Sequence, residues 1–231
     1  MSNVKVNGNT YNGVTSVKLA LADGTGFATY AEGAVTSDIT DILLSGAELG
    51  DMTNDTVSTV NLNVFYGRTC GTVKFTNAAE VFGSAERIAA DNLLLPKVTK
   101  WNYLNYQFTT LRSCNVPGTI DLSGITSAQP ANQSFYGSVI GTLLLGKIHP
   151  HNGMFQNAKI TTLVWNNPDI EAGDGTTTSG MAGQQGLNCS GATLTNVYVP
   201  DTLYDAIKAL KDAGTLTSVT NLYKISEWSD D

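Results

Sequence analysis

One sequence motif occurs twice between residues 134 and 165, and this repetition constrains the fold more than any other feature. Residues 134–145 and 154–165 share a Phe, an Ile five positions later, a Leu three positions after that, and a large apolar residue two positions further on. A period of about 20 to 50 residues is typical of solenoids, in which each unit buries its apolar face only by stacking on a neighbour. The repetition therefore predicts a solenoid.

The second half of the unit, a polar residue followed by apolar, any and apolar residues, recurs along the chain. Its six copies are residues 72–75, 92–95, 119–122, 142–145, 162–165 and 196–199. Counted from Val73, the successive steps are 20, 27, 23, 20 and 34 residues. Four steps match one solenoid turn, and the fifth, which contains residues 168–190, predicts a turn with a surface insertion. Each copy is expected to form one short strand, called a rung, of the solenoid. Leu62 is a candidate for a shortened first rung.

Composition supports a β fold and excludes some partners. Charged residues are only 14% of the chain, and turn-forming residues such as Gly are abundant, with 23 copies. This balance favours a mainly β architecture with many turns. The net charge of −7 argues against nucleic acid, which needs clustered Lys and Arg. The three cysteines lack the CxxC spacing of a zinc site, which favours buried free thiols.

The N-terminal residues differ from the repeat. Asn7-Gly8-Asn9 supplies the positive φ angles that a tight hairpin requires, and residues 1 to 33 are predicted to form a small β-meander. Residues 34–55 connect it to the repeats. We therefore expect an N-terminal β unit and connector over 1–55, a leucine-rich-repeat-like solenoid over 56–199, and a helical cap with an acidic tail over 200–231.

The cap is predicted from a helical pattern that starts at Asp201. Asp201 is a candidate N-cap, and Gly214 is a candidate C-terminal stop. The apolar stripe between them consists of Leu203, Ala206, Ile207 and Leu210. This stripe is expected to lie over the last rung and cover its strand edge.

Few residues suggest catalysis or metal binding. His149 and His151 could face a common ion, but a third ligand at suitable spacing is missing, so a polar turn is the preferred interpretation. The insertion lacks the acidic spacing of an EF-hand, and no phosphate-binding or nucleophile motif occurs. Glycan-cleaving solenoids use paired carboxylates, but Asp121 is the only acid at an outward strand position. We expect no catalytic residue, no metal and no cofactor.

The outward strand positions give a more specific prediction. Because side chains alternate along a strand, the middle residue of each rung points outward. These middle residues are Lys74, Leu94, Asp121, Leu144, Val164 and Tyr198. Contiguous exposed apolar surface usually marks an interface, so Leu94, Leu144, Val164 and Tyr198 are predicted to contact another protein. The alternative is that the N-terminal unit or a loop of the same chain covers them.

Two stretches carry a family resemblance. The two copies at 135–145 and 155–165, with the strand-Pro endings at Pro96 and Pro200, resemble bacterial surface-antigen type leucine-rich repeats. Residues 6–26 resemble the opening of repeat proteins encoded among phage and prophage virion genes. The first resemblance implies a leucine-rich-repeat fold, and the second implies a virion component assembled in the host cytoplasm, in agreement with an N-terminus that has no apolar signal region.

The resulting expectation is a non-enzymatic structural protein of a phage particle, decorating the capsid or associated with the tail. Its expected partners are other virion proteins, further copies of itself in a homo-oligomer, and a host-surface ligand, without membrane insertion. The alternative is a bacterial surface adhesin that binds a host ligand through the repeat face.

Overall fold

The computed structural model describes residues 3–6, 9–12, 16–21, 27–29, 39–45, 48–49, 51–55, 58–101, 110–126 and 129–229, and only the backbone up to residue 49. Its strands are β1 (Asn3–Val6), β2 (Asn9–Asn12), β3 (Ser16–Leu21), β4 (Phe27–Thr29), β5 (Ile39–Ser45), β6 (Glu48–Leu49), β7 (Met52–Asn54), β8 (Thr59–Asn61), β9 (Thr69–Phe75), β10 (Glu80–Phe82), β11 (Ala89–Leu94), β12 (Lys100–Trp101), β13 (Asn115–Leu122), β14 (Gln129–Asn132), β15 (Val139–Leu145), β16 (Ile148–His151), β17 (Lys159–Trp165), β18 (Thr193–Val199) and β19 (Val219–Lys224). The helices in the described ranges are α1 (Asp201–Asp212) and the 3-10 helices Leu62–Phe65 and Ile225–Glu227.

The largest sheet is the strand face of a solenoid. Its order is β1-β2-β7-β9-β11-β13-β15-β17-β18-β19, and β6 pairs with β9 beside this path. From β7 to β19 every neighbouring pair is parallel. Parallel neighbours need crossovers of about a dozen or more residues, which the sequence period supplies. The mainly β solenoid prediction is confirmed, with about seven turns.

The register confirms the six rungs predicted from the repeat. Their first inward residues pair in one continuous row, namely Val73, Leu93, Ile120, Leu143, Leu163 and Val197. Two more rungs flank them, because Met52 pairs with Val73 and Leu222 pairs with Val197. Leu62 is not a rung residue, since it begins a 3-10 helix. The parallel strands thus extend on both sides of the 56–199 range.

The two flanking rungs differ from the inner six at their last inward position. There β7 carries Asn54, which pairs with Phe75, and β19 carries Lys224, which pairs with Val199. Asn54 is fully buried, whereas the Lys224 ammonium lies 5.3 Å from the centre of the Tyr204 ring on α1. β19 is an edge strand of the main sheet, and a polar residue suits a terminal repeat that has a neighbour on one side only. β7 also pairs with β2, so this reason does not extend to the buried Asn54.

Aromatic side chains fill the core. The largest fully buried ones are Phe65, Phe75, Trp101, Phe135, Phe155 and Trp165. Phe135 and Phe155, one turn apart, stack with ring centroids 5.7 Å apart, and Phe155 meets Trp165 edge-on at 5.7 Å. Such pairs contribute about 0.5–1.5 kcal/mol each beyond their burial. The duplicated sequence motif therefore places two stacked Phe rings in successive turns of the core.

One corner of the solenoid is a left-handed turn that precedes each strand by two residues. Its φ angles lie between 55° and 70° at Gly67, Arg87, Ser113, Gly137, Asn157 and Gly191. Backbone amides at this corner bond to the next turn, as in the 2.8 Å bonds from Arg87 N–H to the Arg112 carbonyl and from Ser113 N–H to the Tyr136 carbonyl. The turns are thus joined by hydrogen bonds outside the strands as well as within them.

The described residues also form three smaller sheets. Parallel strands β8, β10 and β12 form one sheet, and β14 and β16 form another. Near the N-terminus β1 and β2 are antiparallel, as the hairpin prediction requires, but β2 continues into the main sheet through β7. Strands β4, β3 and β5 form a separate antiparallel sheet. A single meander over residues 1 to 33 is therefore not confirmed.

Helix α1 connects the last two strands. It begins at Asp201 and is followed by Gly214 at a φ of 76°, so its predicted limits agree with the structure. The N-cap is Pro200 rather than Asp201, and of the predicted stripe only Ile207 is fully buried. The edge of β18, which the helix was expected to cover, is instead paired with β19.

The insertion between β17 and β18 is anchored in the core. Ile170, Met181, Ala182 and Leu187 are buried members of the main apolar cluster. Its exposed part turns around Asp174, whose carboxylate accepts bonds from the backbone N–H groups of Thr176 at 2.8 Å and Thr177 at 2.7 Å. The segment is a folded extension of one turn rather than a wholly superficial loop.

Candidate functional site

The outward residues of the rungs form a single row across the strand face. From one end to the other the row contains Thr53, Lys74, Leu94, Asp121, Leu144, Val164, Tyr198 and Tyr223. Adjacent members lie on hydrogen-bonded strands, which are about 4.7–4.9 Å apart. The structure thus brings all four predicted site residues into one row, with Asp121 between Leu94 and Leu144.

The four predicted residues differ in exposure. Leu94 and Tyr198 are half-buried, whereas Leu144 and Val164 are only 9% and 7% exposed. An outward residue on a sheet face becomes buried only when another group lies over it. Leu144 and Val164 are therefore largely covered.

The C-terminal segment, residues 225–228, lies over Leu144 and Val164. Ile225 and Trp228 line one cavity together with these two residues, and its volume is about 250 Å³. The segment follows β19 directly, and its Trp228 contacts Tyr198 of the neighbouring strand β18, so the last rung and this segment are continuous in sequence. Leu144 and Val164 therefore offer little surface to another protein in this arrangement.

Two hydrogen bonds hold the C-terminal segment to the start of α1. The Asp201 carboxylate accepts a 2.7 Å bond from the Ser226 hydroxyl and a 3.1 Å bond from its backbone N–H. The hydroxyl bond, followed by the backbone bond, lowers the pKa of Asp201 from its usual value. Hydrogen bonds to the charged form favour ionisation, so the contact is strongest when Asp201 is deprotonated.

Three aromatic residues cluster at the C-terminal end of the row. Tyr198 stacks on Tyr223 with ring centroids 4.9 Å apart, and Trp228 meets Tyr198 edge-on at 5.1 Å. All three are partly exposed. Tyr223 and Trp228 were not predicted as site residues. β19 has Lys224 where the rung pattern requires an apolar residue, and Trp228 lies beyond the last strand. The sequence does contain a signal for Tyr223. Residues 221–223 repeat the polar, apolar, any order of residues 196–198 at a distance of 25 residues, which predicts one more rung.

Residues considered for catalysis or metal binding have other surroundings. The Asp121 carboxylate accepts bonds from the Ser123 hydroxyl at 2.6 Å and the Ser123 N–H at 3.0 Å, which closes a turn after β13. His149 lines a cavity of about 390 Å³ with Asp169 and Glu171, and Asp169 pairs with Lys147. In the ranges that the structure describes, no group of three His, Cys, Asp or Glu side chains is arranged to hold a metal ion.

The three cysteines are buried free thiols, as predicted. Burial raises the pKa of Cys70 to about 12, and the pKa of Cys114 and of Cys189 to about 11. A thiolate is the reactive form of cysteine, so these side chains act as small apolar groups of the core at neutral pH.

Neither the helical nor the 3-10 segments of the described ranges combine the length and apolar character that crossing a membrane requires. Comparison with known proteins gives no match to any family model, to any curated protein or to any solved structure.

Proposed function

We propose that the protein is a non-enzymatic structural protein that binds other proteins through the strand face of its solenoid. The observation that carries this proposal is the single row of outward residues with an aromatic cluster at its end. A flat row on hydrogen-bonded strands is rigid, so little conformational entropy is lost when a partner binds.

The aromatic cluster of Tyr198, Tyr223 and Trp228 is the proposed centre of the contact. Tyr and Trp are the residues most enriched among those that dominate interface energies, because they combine a large apolar area with a polar group. Leu94 lies further along the row and remains partly exposed. Leu144 and Val164 support the C-terminal segment from below and join the interface only when that segment lifts.

The proposed setting is a phage particle, with other virion proteins as partners and capsid decoration or tail association as the role. This setting rests on the resemblance of residues 6–26 to proteins encoded among virion genes. The alternative setting is a bacterial surface, where the same row would bind a host ligand. Both settings use the same contact chemistry, and self-association into a homo-oligomer could use the same row.

Mass spectrometry of purified particles tests the setting. Particles from cells that express the protein should contain it in a fixed ratio to the major capsid protein. Its absence from particles that carry all other products of the neighbouring genes would contradict the virion proposal and leave the adhesin alternative.

A pair of variants tests the contact surface. Tyr223→Ala should reduce incorporation by about tenfold or more, since loss of a central interface aromatic typically costs about 2 kcal/mol. Lys159→Ala is the matched control, because Lys159 is exposed at the start of β17 and outside the row. Equal incorporation of both variants, with both folded, would exclude the aromatic cluster as the contact.

A further inference from the structure

A second surface lies outside the row and is built by the insertion between β17 and β18. It is an open cleft of about 690 Å³, within the range of roughly 300–1,000 Å³ that small-molecule sites occupy. Side chains from three parts of the chain line it, including Asn152 and Gln156, Gln184 and Gln185, and Thr217. It shares no lining residue with the aromatic cluster or the row.

The cleft has no charged side chain in its lining, although the chain carries 33 charged residues in total, 13 basic and 20 acidic. Its walls consist of amide and hydroxyl side chains with glycine, alanine and one buried cysteine. A phosphate, an acidic sugar or a nucleic acid would lose hydration on entry without gaining an ion pair in return. The lining therefore selects for an uncharged ligand rich in hydrogen-bonding groups.

The polar groups of the cleft divide into two sets. Asn188 fixes the walls, because its amide N–H₂ donates to the Gly175 carbonyl at 2.7 Å and the Thr215 carbonyl at 3.1 Å. Ser218 donates to the Leu187 carbonyl and holds the same region. The side-chain amides of Gln156, Gln184 and Gln185 have no such structural bond to the described residues. These three amides are thus available to a ligand, whereas Asn188 and Ser218 already have hydrogen-bond partners within the protein.

Each free amide offers a donor and an acceptor from one group, which matches a sugar hydroxyl that also donates and accepts. An extended peptide would also satisfy amides, but peptide recognition needs pockets for alternate side chains. Among the lining residues only Ala192 and the buried Cys189 present apolar side chains, so such pockets are absent from this cleft. We propose that the cleft is a binding site for a neutral oligosaccharide.

The affinity expected from this chemistry is low. The lining contains no aromatic ring on which a sugar could stack, so hydrogen bonds alone must hold the ligand. Such bonds are largely exchanged for bonds to water, and a dissociation constant on the order of 1 mM is expected for one cleft. Useful binding then requires several copies of the chain to engage one glycan surface.

Titration of the full chain with neutral oligosaccharides tests the proposal. Maltohexaose, cellohexaose and chitohexaose are the probes, followed by chemical shifts of the Gln side-chain amides in nuclear magnetic resonance spectra. At least one probe should bind saturably, with shifts at Gln156, Gln184 or Gln185. No saturable binding of any probe up to about 20 mM, well above the expected constant, would overturn the proposal.

Variants separate this site from non-specific binding. Gln156→Ala should weaken binding by about fivefold to tenfold, the effect of one hydrogen-bonding group. The control Asn115→Ala removes an exposed amide at the start of β13 and should bind as the unmodified chain does. Equal binding by both variants would overturn the assignment. Equally strong binding of an uncharged Gly-Ser peptide, or of inorganic phosphate, would overturn the ligand class.

Discussion

At the scale of single residues, one corner of the solenoid has the same backbone geometry in successive turns, but not the same residue type. Six successive turns use a left-handed residue there, but only three of the six are glycine. Arg87 at a φ of 60° and Ser113 at 55° adopt a conformation that costs an L-residue with a Cβ atom about 1 kcal/mol. The sequence could not reveal this corner, because what recurs is a backbone angle.

Replacing Ser113 by glycine should stabilise the protein by up to about 1 kcal/mol, because the left-handed conformation is no longer strained. Gly137→Ala is the converse variant. The added Cβ would meet only the Ser113 Oγ at 3.7 Å, an ordinary contact, so its expected cost of about 1 kcal/mol comes from the backbone. Urea denaturation measures both, and changes of the same sign would contradict the explanation.

Asp174 should make its turn sensitive to acid. Hydrogen bonds from the backbone of Thr177 and Thr176 lower the pKa of Asp174 to about 2, from an ordinary value of 3.8. A lowered pKa in the folded state means that the contribution of the carboxylate is complete above pH 3.8 and is lost as the pH falls toward 2. Hydrogen exchange at Thr176 and Thr177, corrected for intrinsic rates, should accelerate across that window.

The Asp174→Ala variant provides the reference for this measurement. Its Thr176 and Thr177 amides should exchange rapidly at pH 6 and show no corrected acceleration between pH 4 and 2. Protection that stays constant over this window in the unmodified chain would contradict the role of the carboxylate.

At the scale of elements, the inner rungs were predictable and the terminal ones were not. Each inner rung has an apolar residue on either side of its outward residue, and this period-two alternation is visible in the sequence. In β7 and β19 the final position holds Asn54 or Lys224 instead of an apolar residue. For β19 the reason is its place at the edge of the main sheet, where a terminal repeat has a neighbour on one side only. The pattern therefore failed at the two places where the physical environment changes.

The C-terminal segment should loosen when its contact with α1 is removed. In Ser226→Ala the Asp201 carboxylate loses its 2.7 Å bond, and the segment should leave the strand face more often. Trp101 and Trp165 are fully buried, so the third tryptophan, Trp228, dominates quenching by acrylamide. The quenching constant should rise by about twofold, an effect on the scale of one net hydrogen bond.

The control for this experiment is Thr126→Ala, which removes an exposed hydroxyl elsewhere in the chain. The pKa of Asp201 is lowered in the folded state, so its contribution is present above pH 3.8 and declines below it. Acidification should therefore raise the quenching of the unmodified chain toward that of Ser226→Ala. A difference between the two chains that does not change with acidification would assign the effect to another contact.

At the scale of the whole molecule, the row was predictable but its cover was not. Strand alternation and the repeat period place Leu94, Leu144, Val164 and Tyr198 on one face without any knowledge of tertiary structure. Which of them is accessible depends on where the chain returns after its last rung. The path of residues 225–228 is set by a bond to Asp201 at 25 residues' separation, and local patterns contain no such information.

A solenoid is stabilised by contacts between neighbouring turns, so the position of a core substitution along the stack should decide its effect. Leu163 is fully buried in an inner rung, with β15 and β18 as neighbours, and Leu163→Ala should cost about 2–5 kcal/mol. Leu222 occupies the same position in β19 but is only half-buried.

Leu222→Ala should therefore cost about 1 kcal/mol, because less apolar area is lost and fewer turns depend on it. Urea denaturation compares the loss in free energy of unfolding of the two variants. Hydrogen exchange shows which turns of the solenoid are destabilised in each. Leu222→Ala should raise exchange in β19 and α1 alone, whereas Leu163→Ala should raise it in turns on both sides of β17. Equal costs with uniform exchange would show that the chain unfolds as one cooperative unit, rather than as a stack of coupled turns.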